Sequence, residues 1–125
     1  MGVQLDDDAR DACAAVSSRL SKTGYAARYE PPEKLHVTLA FLGYVEPLRL
    51  DEVRFALQAA SQCASEFGVV LDKLGAFPHE RKPRVVYIGA REQGAGFRRL
   101  AFEVRARYAA LGFDFRDDAV VHVTI

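Results

Sequence analysis

Apolar positions recur along the chain with two different spacings, which predicts short β-strands between α-helices. Three stretches place apolar residues three and four positions apart with a glycine after them, and these predicted helices cover residues 7–20, 53–67 and 97–111. Asp6 stands where the first helix would begin and is expected to cap it. Other stretches alternate between apolar and polar residues or are continuously apolar, which predicts strands. The first of these begins at Val3, and the others cover residues 35–42, 69–74, 84–88, 113–115 and 120–125.

The order of these elements predicts an α+β fold in a single domain that spans residues 1–125. A strand–helix–strand unit occurs near both ends of the chain, so we expect two pseudo-symmetric lobes. The last predicted strand is apolar and ends at Ile125. Because an apolar strand edge without a partner favours aggregation, we expect the protein to have further C-terminal strands after this residue.

Composition narrows the classes of function that the chain can have. Half of the residues are hydrophobic and 27% are charged, which is typical of a globular protein. The formal net charge is zero, whereas proteins that bind long duplexes are usually basic, so a small substrate or a nucleic-acid end is favoured. No apolar run approaches the ~20 residues of a membrane span. Cys13 and Cys63 fall in helical apolar patterns, which predicts two packed, reduced thiols in a cytoplasmic protein.

A duplicated His-x-Thr motif is the strongest functional signal in the sequence. His36-Val37-Thr38 and His122-Val123-Thr124 each lie in a predicted strand, where residues i and i+2 point to the same side. The chain has three histidines, so two of them followed by threonine at the same spacing is improbable by chance. The sequence therefore predicts one site that contains two imidazoles and two hydroxyls.

Two histidines are suited to the hydrolysis of a cyclic phosphodiester. A base activates water, and an acid on the opposite side protonates the departing ribose oxygen. Histidine suits both tasks because its unperturbed pKa of about 6.5 lies near working pH. We predict that His36 and His122 are this pair, and that Thr38 and Thr124 donate to the non-bridging phosphate oxygens, where charge accumulates. The predicted chemistry needs no metal and no other cofactor.

Two other interpretations of the histidines remain open. A single histidine in a strand is most often structural, and threonine is favoured in strands for its shape alone. A zinc site would need a third protein ligand, for which His79 is available, but the loop around it carries no recognisable zinc motif. Repetition of the whole motif favours the catalytic interpretation over both.

The residues around both motifs resemble a known family. Residues 31–43, with the sequence PPEKLHVTLAFLG, closely resemble the first signature of the LigT-like RNA 2′,3′-cyclic phosphodiesterases, also called 2′-5′ RNA ligases, within the two-histidine phosphoesterase superfamily. The resemblance continues through residues 75–78, 83–89 and 122–125, and so covers essentially the whole chain. The sequence differs from the family at Val121, where members often have proline, and members usually continue past the second motif with an arginine and further strands.

The resemblance implies a fold and an activity. The expected fold has antiparallel sheets that line a central cleft, with helices packed outside. The expected reaction converts a 2′,3′-cyclic phosphate at an RNA 3′ end to a 2′-phosphate, with His36 as acid and His122 as base. The ligand would be an RNA 3′ end or a small 2′,3′-cyclic nucleotide, bound by a monomer that does not associate with membranes. The alternatives are ligation of RNA ends through a 2′-5′ bond in the same site, or a module that binds nucleotides or RNA ends without turnover.

The loop from residue 77 to residue 84 is a predicted substrate contact. Phe77 can stack on a terminal base, and Arg81 and Arg84 can pair with phosphate. A charged loop that is merely solvated explains the same residues equally well.

Overall fold

The computed structural model describes all 125 residues and has five strands and three α-helices. The strands are β1 (Gly2–Gln4), β2 (His36–Thr38), β3 (Lys73–Phe77), β4 (Val85–Gly89) and β5 (His122–Thr124). The helices are α1 (Asp7–Ser21), α2 (Leu50–Gln62) and α3 (Ala95–Ala110). Short 3₁₀ turns at Pro32–Lys34 and Pro47–Arg49 precede β2 and α2. The prediction of an α+β fold is confirmed.

All five strands belong to one sheet, in the order β1-β2-β5-β4-β3. The pairs β2–β5, β5–β4 and β4–β3 are antiparallel. β5 comes from the C-terminal end of the chain but lies between β2 and β4, so the two motif strands are direct neighbours. The structure thus has a single sheet where several were expected, and residues 113–115, which were predicted as a strand, do not form one.

The chain divides into two compact units. The first, called the sheet unit, contains residues 2–37, 71–91 and 121–125. The second, called the helix-pair unit, contains Met1 and residues 38–70 and 92–120. β2 continues to Thr38, so the first motif ends where the chain enters the helix-pair unit.

The core of the sheet unit is formed by one face of the sheet together with α1. Its buried residues are Cys13, Leu35, Ile88, Val123 and Ile125. Val123 is fully buried and is paired with Val37 on one side and with Ile88 on the other. Val37 and Val123 thus form an apolar face of the two motif strands. Because side chains alternate along a strand, His122 and Thr124 lie on the opposite face.

α1 begins where the sequence predicts. Asp6 is its N-cap, and the Asp6 carboxylate accepts a hydrogen bond of 2.7 Å from the Ala9 amide. Asp7 and Asp8 lie in the first turn, where their charges interact favourably with the positive end of the helix dipole. Val16, a member of the predicted apolar stripe, is exposed, because the buried side of α1 is narrower than the stripe.

The helix-pair unit is built from α2 and α3, which pack against each other. Val53 and Ala60 of α2 are buried, as are Phe97, Val104 and Tyr108 of α3. These residues confirm the predicted apolar stripes of both helices. None of the three helices has the length and apolar character that a membrane crossing requires.

The second helix is shorter than its apolar pattern predicts. α2 ends at Gln62, although the pattern continues to Phe67. Cys63, which was expected to be packed, is the C-cap residue and is exposed, whereas Cys13 is buried. Both thiols are free, as expected for reduced cysteines.

Two strands differ by several residues from their predicted ranges. The first motif strand ends at Thr38 rather than at residue 42, and Phe41 beyond it is 82% exposed. β3 covers Lys73–Phe77, although the sequence predicted a strand over 69–74 and a loop from Gly75 onward. Gly75 by itself favours a break, but its pairing with Tyr87 of β4 continues the strand through it.

Candidate functional site

The two His-x-Thr motifs face each other in the sheet. Val37 of β2 is opposite Val123 of β5, and in an antiparallel pair the residue numbers of partners have a constant sum, so His36 is opposite Thr124. His36 and His122 are therefore diagonal neighbours on one face, a relation that separates residues by about 7–8 Å. Two imidazoles at this separation can reach one phosphate group from two sides.

A backbone carbonyl orients His36. The Nδ1 atom of His36 lies 2.7 Å from the carbonyl oxygen of Lys34, which belongs to the 3₁₀ turn before β2. Since a carbonyl oxygen can only accept, Nδ1 carries a proton, and Nε2 of the neutral ring has the lone pair. Gly2 of β1 lies so close that a Cβ atom there would be 2.7 Å from His36 Cδ2. The ring is exposed, so a ligand can reach it from solvent.

His122 has different surroundings from His36. It is partly buried in the middle of the sheet, where Gly89 of β4 is its neighbour. Its ring contacts Phe77 edge-on, at 5.3 Å between centroids, and Tyr87 at 5.8 Å. Tyr87 is itself opposite Thr124. The site therefore has an aromatic side at β3 and β4 and an exposed side at β2.

Phe77 is brought to the predicted site, but not as a loop residue. It is the last residue of β3, is 37% exposed, and stacks on Tyr87 with 4.4 Å between ring centroids. Its contact with His122 supports a role for Phe77 beside the histidines.

Arg81 and Arg84 lie further away, at the end of the β3–β4 hairpin. Arg84 is exposed and closes the hairpin through its amide, which donates to the Phe77 carbonyl at 2.8 Å. Arg84 is three residues from Tyr87, which corresponds to about 10 Å along the strand. Arg84 thus lies next to Phe77, the residue whose ring contacts His122, and Arg81 lies in the turn beyond it.

His79 is also in this hairpin turn rather than beside the two motif histidines. Its Nδ1 accepts a hydrogen bond of 3.2 Å from the Lys82 amide. No group of three His, Cys, Asp or Glu side chains is arranged to hold a metal ion. His79 is therefore a useful reference histidine for experiments on the other two.

Tyr87 is the site residue that sequence reasoning missed. The sequence places it in the predicted strand over residues 84–88 and assigns it no role in the site. A signal was present, because Tyr87 alternates with Val86 and Ile88, whose side chains belong to the apolar face. Its partner Thr124 in the sheet was not predictable from the sequence alone.

Residues 3–87 match the model of a family described as LigT-like phosphoesterases. The chain belongs to this family. An RNA 2′,3′-cyclic phosphodiesterase of Archaeoglobus fulgidus is 34% identical over 125 residues, which are 100% of this chain and 69% of the relative. An RNA 2′,3′-cyclic phosphodiesterase of Thermotoga maritima is 26% identical and is covered to 66% of its length. The predicted family resemblance is confirmed.

The LigT-like fold is also found in the comparison with solved structures. The crystal structure of E. coli LigT in its apo form superimposes with a TM-score of 0.77 at 25% identity, over 98% of this chain and 67% of LigT. The complex of E. coli LigT with 3′-AMP gives a TM-score of 0.74 at 26% identity, over 98% of this chain and 66% of that one. The present chain thus spans about two thirds of the length of these relatives.

Proposed function

We propose that this LigT-like chain hydrolyses 2′,3′-cyclic phosphates at RNA 3′ ends to 2′-phosphates without a metal ion. The observation that carries the proposal is the pairing of Val37 with Val123, which makes the two His-x-Thr strands neighbours with their polar residues on one face. A single motif could be structural, but two that meet across one strand pair form a site with two proton-transfer groups.

The proposed reaction is an in-line displacement at phosphorus. His122 takes a proton from water, whose oxygen forms a bond to phosphorus, and the bond from phosphorus to the ribose O3′ breaks. His36 protonates O3′, so the products are a 2′-phosphate and a 3′-hydroxyl. When the ring is protonated on both nitrogens, Nδ1–H stays bonded to the Lys34 carbonyl and orients the ring, and the proton on Nε2 is the one that passes to O3′. The hydroxyls of Thr38 and Thr124 donate to the non-bridging oxygens.

The proposed substrate class is an RNA 3′ end or a small 2′,3′-cyclic nucleotide, bound by a monomer. The relatives of A. fulgidus and T. maritima are RNA 2′,3′-cyclic phosphodiesterases by name, and E. coli LigT has been crystallised with 3′-AMP. We propose that Phe77 contacts the terminal nucleotide, since its ring is partly exposed beside His122. Arg81 and Arg84 would then contact the next phosphate along the strand.

The decisive assay supplies 2′,3′-cyclic AMP and a short oligonucleotide with a 2′,3′-cyclic phosphate, with EDTA present, and separates 2′- from 3′-phosphate products. We expect 2′-phosphate. Release of 3′-phosphate would mean that the other ribose oxygen departs. Binding of the oligonucleotide without turnover would favour a non-catalytic module, and joining of RNA ends in the presence of a 5′-hydroxyl acceptor would favour the 2′-5′ ligase alternative.

Histidine variants test the mechanism. We expect His36→Ala and His122→Ala each to lower kcat by about 10²–10⁴-fold, because each removes one proton-transfer group. The wild-type profile of kcat/KM against pH should be bell-shaped, and each variant should lose one limb. His79→Ala is the matched control and should retain wild-type turnover, since His79 lies in the hairpin turn. Near-normal hydrolysis by both motif variants would refute the two-histidine mechanism.

A further inference from the structure

Two glycines in adjacent strands lie on the face of the sheet that carries His122 and Thr124, and neither has a side chain to cover the backbone there. Gly75 of β3 is opposite Tyr87, and Gly89 is two residues after Tyr87 on β4. A Cβ atom at Gly75 would lie 2.5 Å from Tyr87 Cζ, and one at Gly89 would lie 3.0 Å from Tyr87 Cε2. Neither glycine has a positive φ, so the backbone conformation does not require glycine at either position. The space at Gly75 is filled by the Tyr87 ring, and the space at Gly89 is shared by the Tyr87 ring and the Val121 carbonyl oxygen, which would lie 2.9 Å from the added Cβ.

The ring of Tyr87 is held on both of its sides. The backbone of Gly75 and Gly89 supports it from the sheet, and Phe77 covers it with 4.4 Å between centroids and an interplanar angle of 23°. Tyr87 and Phe77 therefore have few alternative rotamers, because any movement of the Tyr87 ring must displace the Phe77 ring stacked on it.

This aromatic pair contacts the His122 imidazole. Phe77 meets His122 at an interplanar angle of 85° and Tyr87 meets it at 71°, so both contacts are edge-to-face. An imidazole packed edge-on against two fixed rings cannot turn freely about its Cβ–Cγ bond. Since β4 presents Gly89 next to His122, no side chain at that position separates His122 from Tyr87.

The hydroxyl of Tyr87 is directed away from His122. A Cβ atom at Gly75 would lie 2.6 Å from Tyr87 Oη, and Gly75 is on β3, which lies on the far side of β4 from β5. Contact with His122 is therefore made by the ring and not by the hydroxyl. Tyr87 thus acts on His122 through its ring and does not exchange a proton with it.

We infer that Tyr87 is a positioning residue: seated on Gly75 and Gly89 and covered by Phe77, its ring holds the His122 imidazole in the orientation that proton transfer requires. The inference rests on the proposed function in that it takes His122 to be the group that transfers a proton. It assigns a role to the two glycines, because a side chain at Gly75 or Gly89 would clash with the Tyr87 ring.

The kinetic test compares Tyr87→Phe with Tyr87→Leu in the full chain. Tyr87→Phe keeps the ring and should retain kcat within about threefold. Tyr87→Leu should lower kcat by about 10–100-fold, with a smaller change in KM, because a displaced catalytic group slows the chemical step. Tyr25→Leu, which removes a tyrosine of the same unit whose side chain is 43% exposed, is the matched control and should not change kcat. An equal loss in Tyr87→Phe, or wild-type kcat in Tyr87→Leu, overturns the inference.

A double-variant cycle tests whether Gly75 acts through Tyr87. Gly75→Ala should lower kcat in the wild-type background, because the added methyl group displaces the ring. In the Tyr87→Leu background the same change should have little further effect. Additive losses in the two variants would overturn the assigned role of the glycine. Thermal unfolding of each variant identifies any that fails to fold, and Tyr87→Phe remains informative if Gly75→Ala does.

Nuclear magnetic resonance of the three histidines tests the same idea without turnover. The His122 ring protons lie beside two aromatic rings and should move in Tyr87→Leu, whereas the His79 ring protons should not. Unchanged His122 resonances overturn the inference even if the enzyme is active. If wild-type protein shows no turnover of cyclic phosphates, the proposed function fails, and the His122 resonances still decide whether the Tyr87 ring contacts the imidazole.

Discussion

At the scale of single residues, two identical motifs have different environments. His36 is exposed and bonded to the Lys34 carbonyl, whereas His122 is partly buried against Phe77 and Tyr87. Because the motif residues are the same, the motifs alone predict the pair, and the assignment of His36 as acid and His122 as base came only from the family resemblance. The partner of His36 is local in sequence, whereas the rings that contact His122 come from other strands.

The threonines offer a residue-scale prediction. We expect Thr124→Val and Thr38→Val to lower kcat by about 10²–10³-fold, because valine has a similar shape but cannot donate to the phosphate in the transition state. The corresponding serine variants should retain most of the activity. Thr23→Val is the matched control, since the Thr23 hydroxyl donates to the Leu20 carbonyl at the end of α1. If the serine variants lose as much kcat as the valine variants, the threonine hydroxyls do not stabilise the transition state.

At the scale of elements, the helices were predicted more closely than the strands. Asp6 marks the start of α1 because its carboxylate bonds to an amide three residues away, an interaction that the local sequence encodes. β3 was misplaced because its extension through Gly75 depends on β4, and a strand gains its hydrogen bonds from a partner rather than from itself. Phe77, which was predicted to lie in a loop, is therefore the last residue of β3 and lies beside His122.

The β3–β4 hairpin provides an element-scale prediction. If Arg81 and Arg84 contact the phosphate next to the terminal nucleotide, Arg81→Ala and Arg84→Ala should raise KM for a cyclic-phosphate oligonucleotide severalfold and leave KM for 2′,3′-cyclic AMP unchanged. Arg28→Ala, at an exposed position outside the hairpin, is the control for loss of positive charge. An unchanged KM for the oligonucleotide would identify the hairpin as a solvated loop.

At the scale of the whole molecule, long-range strand pairing assembles the site. β5, from the end of the chain, lies between β2 and β4, and this order makes His36, His122 and Tyr87 residues of three adjacent strands. The same arrangement buries Cys13 beneath the sheet, while Cys63 is exposed in the helix-pair unit. The two thiols therefore report on different parts of the fold.

Thiol reactivity tests this arrangement. We expect Cys63 to react rapidly with an aromatic disulfide reagent at pH 8 and Cys13 to react only when denaturant is added. Burial limits access to Cys13 and raises the pKa of its thiol, which lowers the fraction of reactive thiolate. Cys63→Ser should eliminate the rapid phase and Cys13→Ser should preserve it. Rapid reaction of both thiols in native protein would contradict the closed core of the sheet unit.

The two motifs, the cap of α1 and the family were all predictable from the sequence. Each of these is encoded locally, in the alternation of side chains along a strand, in spacing along a helix, or in a contiguous signature. The tertiary structure decided that Val37 pairs with Val123, that β3 continues to Phe77, and that Tyr87 lies against His122. These contacts join segments far apart in the chain, and the register between such segments is set by the packing of the whole sheet rather than by either segment alone.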